Sequence, residues 1–200
     1  MKRSMNSRIV HIVLFGIGLL GSVQADANAS REKGKAAIVA NSTMTITPPR
    51  DWNSLSAKPG KKAESWTLDG DLLNEVTFYG GIAAGEPLIR ERSKKREPLP
   101  KLSQSALLAE LPELLEATYR ASKGIGSFTV TGSAAEPFLG QKGIRFTYEY
   151  VDRDELPRKG EAHATLIGGA LYMATLDAPR LHYYEAALLE FQALVRSAKL

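Results

Sequence analysis

Cysteine is absent from all 200 residues. That excludes disulfides, thiolate metal sites, cysteine nucleophiles and the lipid-modified cysteine that follows a lipoprotein signal. Stability must come from packing, which a domain of this size supplies because it buries roughly 70% of its unfolded surface. Histidine is scarce, at three residues; His11 sits in an apolar N-terminal run, so His163 and His182 are the imidazoles left for catalysis or metal binding. An excess of one charge is also missing. Of 26 basic residues, Lys2, Arg3 and Arg8 lie in the first eight positions, and the remaining 23 face 22 acids, a net charge of +1. A near-neutral chain has no general electrostatic attraction to nucleic acid. Long apolar runs are lacking: the longest, residues 9–21, has 13 residues, three glycines and His11, against about 20 for a spanning helix, which makes an uncleaved anchor the weaker reading of it.

What is present begins with a three-part N-terminus: basic MKRSMNSR, the apolar run, then Val23-Gln24-Ala25 with small residues at the positions a signal peptidase inspects. Residues 1–25 are expected to be a cleavable signal peptide. The mature protein is then exported, periplasmic or secreted. Residues 26–42 follow as a flexible N-terminus running into the first strand, and residues 43–200 form a single domain.

Along that domain, Ala37–Thr47 is rich in β-branched residues and predicts a strand stopped by Pro48-Pro49, with Trp52 turned back onto the core. Glu64–Leu68 and Leu73–Tyr79 predict a hairpin across Asp69-Gly70-Asp71. Residues 80–101, broken by glycine and proline and then heavily charged, predict a long exposed connection. Leu107, Leu108, Leu111, Leu114, Leu115 and Tyr119 share one face of a helix over about 105–122, with Ser103 or Ser105 as cap, Pro112 as a kink or fresh start and Gly124 as stop. Ile144, Phe146, Tyr148 and Tyr150 alternate with polar residues as in a half-buried strand. Gly168-Gly169 joins Glu161–Ile167 to Ala170–Asp177 as a type I′ hairpin, whose register sets Leu166 opposite Leu171 and Ala164 opposite Met173. Pro179–Ala198 predicts a closing helix with an apolar stripe through Leu181, Tyr184, Leu188, Phe191, Leu194 and Val195. Strands, helix, strands, helix, joined by hairpins, give an α+β fold with an antiparallel sheet packed by helices.

Several landmarks resemble the PsbP-like fold: the strand ending in Pro48-Pro49 with Trp52, the segment Trp66-Thr67-Leu68-Asp69-Gly70, the Gly168-Gly169 hairpin, and a last helix carrying Tyr183, Tyr184, Phe191 and Ser197. The resemblance covers about residues 43–200. It implies an α/β/α sandwich used for docking and binding, a scaffold shared by photosystem extrinsic proteins, a Ran-GTPase release factor and many small exported bacterial proteins. It carries over no site residue.

The chemistry-bearing residues support no catalytic assignment. His182 and Glu185 are three apart on the last helix but lack a third ligand, and His163 reads as a hydrogen-bonded sheet residue. Asp152-Arg153-Asp154-Glu155 lacks the spacing of a calcium loop and reads as a hairpin tip bridged to Arg153 and Arg158. Gly80-Gly81-Ile82-Ala83-Ala84-Gly85 has no closing Lys-Ser/Thr of a phosphate loop. The strongest local feature is the basic run Arg90, Arg92, Lys94, Lys95 and Arg96, which Lys58, Lys61 and Lys62 can join in space. The expected function is that of a non-catalytic exported binding or docking protein, its partner an envelope protein or a small ligand, with no cofactor, metal or nucleic acid. The alternatives are a peripheral binder of anionic lipid or polyanion through the basic run, and an enzyme using His163 or His182.

Overall fold

Hairpin chemistry and side-chain alternation build the sheet from its centre outward. Gly168 and Gly169 both take positive φ, 59° and 80°, as a two-residue type I′ turn requires. They join β9 (Pro157–Ile167) to β10 (Ala170–Pro179) with Leu166 opposite Leu171 and Ala164 opposite Met173, the expected register. β8 (Gly143–Val151) pairs with β9 and buries Ile144, Phe146, Tyr148 and Tyr150; β7 (Ser127–Ala135) closes that edge. On the other side β6 (Glu75–Ile82) pairs with β10, then come β5 (Ala63–Thr67), β4 (Trp52–Ser54) and β1 (Ala29–Arg31). All eight strands run antiparallel to their neighbours. This computed structural model describes residues 29–93, 95 and 98–200; the expected signal peptide, Lys94 and Arg96 lie outside them.

Register parity divides the core between two faces, because successive side chains along a strand alternate. Tyr79, Tyr148, Tyr150, Ala162, Ala164, Leu171 and Met173 face α1 (Leu111–Lys123). Trp66, Val76, Phe78, Ala174 and Leu176 face α2 (Tyr183–Ser197) and the short hairpin of β2 (Ala37–Ile38) and β3 (Thr45–Ile46). The result is the expected α+β architecture, a helix on each face of an antiparallel sheet. Among the described residues no helix is long and apolar enough to cross a membrane.

Four local expectations change. Ala37–Thr47 is two short strands rather than one, because Ala40 and Asn41 adopt positive φ and reverse the chain. In the stretch 26–42, expected to be a flexible N-terminus running into the first strand, Ala29–Arg31 form the edge strand β1, and Arg31 reaches the buried Glu64. Neither Ser103 nor Ser105 caps the first helix: a 3₁₀ turn at Leu108–Glu110 precedes α1, the Glu110 carboxylate accepts the Leu107 N–H at 2.9 Å, and Leu107 is exposed. Pro179 ends β10 rather than opening α2, since the backbone carries on to an Arg180 N–H bond to Pro157 O; Leu181 is left exposed before the helix begins.

Candidate binding cleft

The segment after β6, expected to be an exposed connection, is anchored at several points. Leu88, Leu99 and Leu102 are buried, Arg90 N–H donates to Pro59 O at 2.8 Å, and Gly85 and Leu102 N–H donate to Leu102 O and Glu86 O at 2.8 and 3.0 Å. These anchors lay the segment against the 58–62 turn and leave a cleft of about 560 Å³ between it and α1. Glu75, Thr77 and Tyr79 of β6 form its floor. Thr118, Tyr119, Ala121, Ser122 and Lys123 of α1 form one wall; Lys58, Ile89, Arg90, Arg92 and Leu99 form the other, and Arg153 arrives from the β8–β9 tip.

The walls are cationic. Lys58, Arg90, Arg92, Lys123 and Arg153 line the cleft against a single acid, Glu75. Two cations have carboxylates nearby: Lys58 Nζ lies 3.7 Å from Glu64, and Lys123 Nζ lies 3.9 Å from Glu75 and 3.7 Å from Asp177. Lys123 also sits 4.1 Å above the Tyr119 ring, a cation–π contact. Arg90, Arg92 and Arg153 form no ion pair among the described residues. Arg153 lies instead against Gly124, which closes α1 at φ 63°.

Beneath the floor is a buried tyrosine–aspartate cluster. Asp177 accepts hydrogen bonds from the Tyr119 and Tyr148 hydroxyls, the latter at 3.3 Å. Burial, then the charge of Asp177, pushes Tyr79, Tyr119, Tyr148 and Tyr150 above the usual phenol range. All four therefore stay protonated and able to donate at neutral pH.

Of the residues singled out in the sequence, the fold brings Arg90 and Arg92 into this cleft together with Lys58. Lys95 is exposed and does not line it, and Lys94 and Arg96 lie outside the described residues. Lys61 and Lys62 line a neighbouring depression with Arg90, where Lys62 pairs with Glu86 at 2.8 Å. The acidic tip is spent on its own turn: Asp152 accepts the N–H groups of Asp154 and Leu156 at 3.0 Å and lies 3.7 Å from Arg158. His182 is exposed at the start of α2 with φ 68°.

His163 is buried on the opposite face, 3.0 Å from Glu161 and 3.5 Å from Glu136. The Glu161 carboxylate also takes Arg145 at 3.1 Å and Gln192 at 3.3 Å. Burial raises its pKa, but the bonds from His163, Gln192 and Arg145 outweigh that and hold it below the ordinary 4.5. Glu64 behaves alike: burial is overcome by bonds from Trp66, Arg31 and Ser54. Carboxyls with depressed folded-state pKa values stabilise the fold fully above their unfolded value, and that contribution is lost as pH falls through the folded one. Urea unfolding at constant ionic strength is therefore expected to show a midpoint unaffected by these groups from pH 7 to about 5 and falling below about 4.5. A midpoint unchanged between pH 5 and 3 would remove both carboxylates from the account of stability. Among the described residues no three His, Asp or Glu side chains are placed to share a metal ion.

An antiparallel sheet flanked by one helix on each face defines a PsbP-like α+β fold. It is similar to the solution structure of cyanobacterial PsbP (CyanoP) from Synechocystis sp. PCC 6803, at TM-score 0.54 and 15% identity over 92% of this chain and 98% of that one. The Saccharomyces cerevisiae Ran-binding protein Mog1p superposes with TM-score 0.48 at 9% identity, over 86% and 94% of the two chains. A Pseudomonas aeruginosa protein of unknown function does so with TM-score 0.42 at 14% identity, over 75% and 94%. No protein-family model and no curated protein matches the chain in sequence. The shared feature is the fold; site chemistry has to be argued from this chain's own residues.

Proposed function

We propose that this protein is an exported, non-catalytic binding protein that takes a small ligand in the cleft between α1 and the β6–α1 segment. The observation that carries this reading is the convergence of Lys58, Arg90, Arg92, Lys123 and Arg153 on one cavity of about 560 Å³, a size common among small-molecule sites. Residues 1–25, with their basic, apolar and small-residue regions in order, support export. The two histidines stand apart from the cleft, one enclosed under α2 and one at the surface, so the enzyme alternative through His163 or His182 draws no support from the cleft. Docking of an envelope protein through the basic run is less well supported, because Arg90 and Arg92 line a concavity rather than a flat face.

Ala121 is exposed on the α1 wall, so a bulky side chain there occupies the cleft with little disturbance of the core. A panel of small organic anions, sugars, amino acids and phosphates, screened by thermal unfolding, is expected to contain compounds that raise Tm for the wild type and leave Ala121→Trp unmoved. A stabilising compound that acts equally on both proteins would place its site elsewhere.

A further inference from the structure

We infer that the ligand of this cleft is a small, soluble molecule bearing phosphate groups; the inference rests on reading the cleft as the ligand site. The charge balance comes first. Lys123 lies beside Glu75 and Asp177, and Lys58 lies beside Glu64, so these two cations are largely matched from within the protein. Arg90, Arg92 and Arg153 are not: none has an ion-pair partner among the described residues, although all three line the same cavity. Unmatched positive charge gathered at a concave surface raises the local concentration of anions.

The type of cation narrows the anion. Guanidinium presents a planar fork of donors that fits two oxygens of one phosphate or carboxylate, and it is more weakly hydrated than ammonium. Three such forks arrive from two separate parts of the chain, the 88–93 segment and the β8–β9 tip, which suits an anion offering several oxygens in different directions. Phosphate and diphosphate do so; a single planar carboxylate offers one edge. The floor adds neutral polar groups, the Thr77 hydroxyl, which shares a 2.8 Å hydrogen bond with Ser65 Oγ, and the protonated Tyr79 phenol, alongside one carboxylate already beside Lys123. Ile89 and Leu99 supply apolar wall, enough to contact an organic portion, and the volume exceeds what a bare phosphate fills.

The probe is inorganic pyrophosphate, titrated calorimetrically into the purified protein at fixed ionic strength, with citrate as a multiply charged carboxylate control. Sedimentation with phosphatidylglycerol vesicles forms the lipid arm. Saturable pyrophosphate binding is expected, tighter than citrate. It should weaken about tenfold or more in Arg90→Gln and in Arg153→Gln, from the loss of charge-assisted hydrogen bonds, and persist in Lys95→Gln, whose side chain lies outside the cleft. Arg90 and Arg153 are exposed, and wild-type Tm without ligand confirms that the variants fold. No saturable pyrophosphate binding, equal affinity for citrate, or binding to vesicles alone overturns the proposal. If pyrophosphate fails while another compound binds in a manner abolished by Ala121→Trp, the ligand class is wrong and the cleft stands; pyrophosphate binding untouched by every cleft variant contradicts both.

Discussion

Replacing Gly160 by alanine is expected to lower the unfolding free energy by about 3 kcal/mol or more. Gly160 stands in β9 between Tyr148 on β8 and Asp177 on β10. The Tyr148 ring lies directly across it to bring the hydroxyl to 3.3 Å from both Leu176 O and Asp177. A methyl at Gly160 would fall 2.3 Å from the ring and 2.6 Å from Leu176 O. Backbone in the middle of a sheet cannot retreat, so the ring must lift. Lifting it breaks the Tyr148 bonds to Asp177 and disturbs its packing against Phe128, 4.9 Å between ring centres. Urea unfolding of Gly160→Ala checks this. A loss below 1 kcal/mol would mean that Tyr148 has another place to go.

Glu64→Leu is expected to cost about 3 kcal/mol. Glu64 is 2% exposed, and its carboxylate is the acceptor on which one corner of the fold converges: Arg31 Nη2, Ser54 Oγ at 3.1 Å, Trp66 Nε1 at 2.9 Å and Ala40 N–H at 3.3 Å. Leucine matches the volume but accepts none of these bonds. The Trp66 and Ala40 donors are left buried and unpaired, and the edge strand β1 loses the ion pair that ties it to β5. Arg31 is partly solvated, side chain 25% exposed, and can turn to water, which keeps the loss at the lower end of the range for broken buried pairs. Glu64→Gln retains one acceptor oxygen and should lose less. Equal losses for Leu and Gln would show that the charge, rather than hydrogen bonding, dominates.

The parts of the fold readable in the sequence are those encoded over a few residues. Gly168-Gly169 fixes a turn and, through it, the register of two strands; the Ile144-Phe146-Tyr148-Tyr150 alternation fixes a strand and its buried face. Elements set by distant partners were not readable. Ala40 and Asn41 reverse the chain without a glycine, held by Asn41 Nδ2 on Lys61 O and Ala40 N–H on Glu64. Pro179 looks like a helix start, but Pro157 O extends the β9–β10 ladder past it. The candidate site divides the same way. Arg90 and Arg92 stand out in a contiguous basic run, whereas Lys123 and Arg153 join them only because α1 ends, and β8 turns, at the same rim. Glu64 gives no local sign at all: it is one polar residue in a short strand until Arg31 and Trp66 are brought to it.

The measurement that bears most directly on the cleft is the amide ¹H–¹⁵N spectrum of the protein, recorded as pools of the same small-molecule panel are added. At least one pool is expected to move the amides of Ile89–Arg92, Thr118–Lys123, Thr77 and Arg153 together in a saturable way, and to leave the α2 face around Glu161 and His163 in place. Pools that leave the cleft amides unmoved, or that act only on the α2 face, would contradict a ligand site between α1 and the β6–α1 segment.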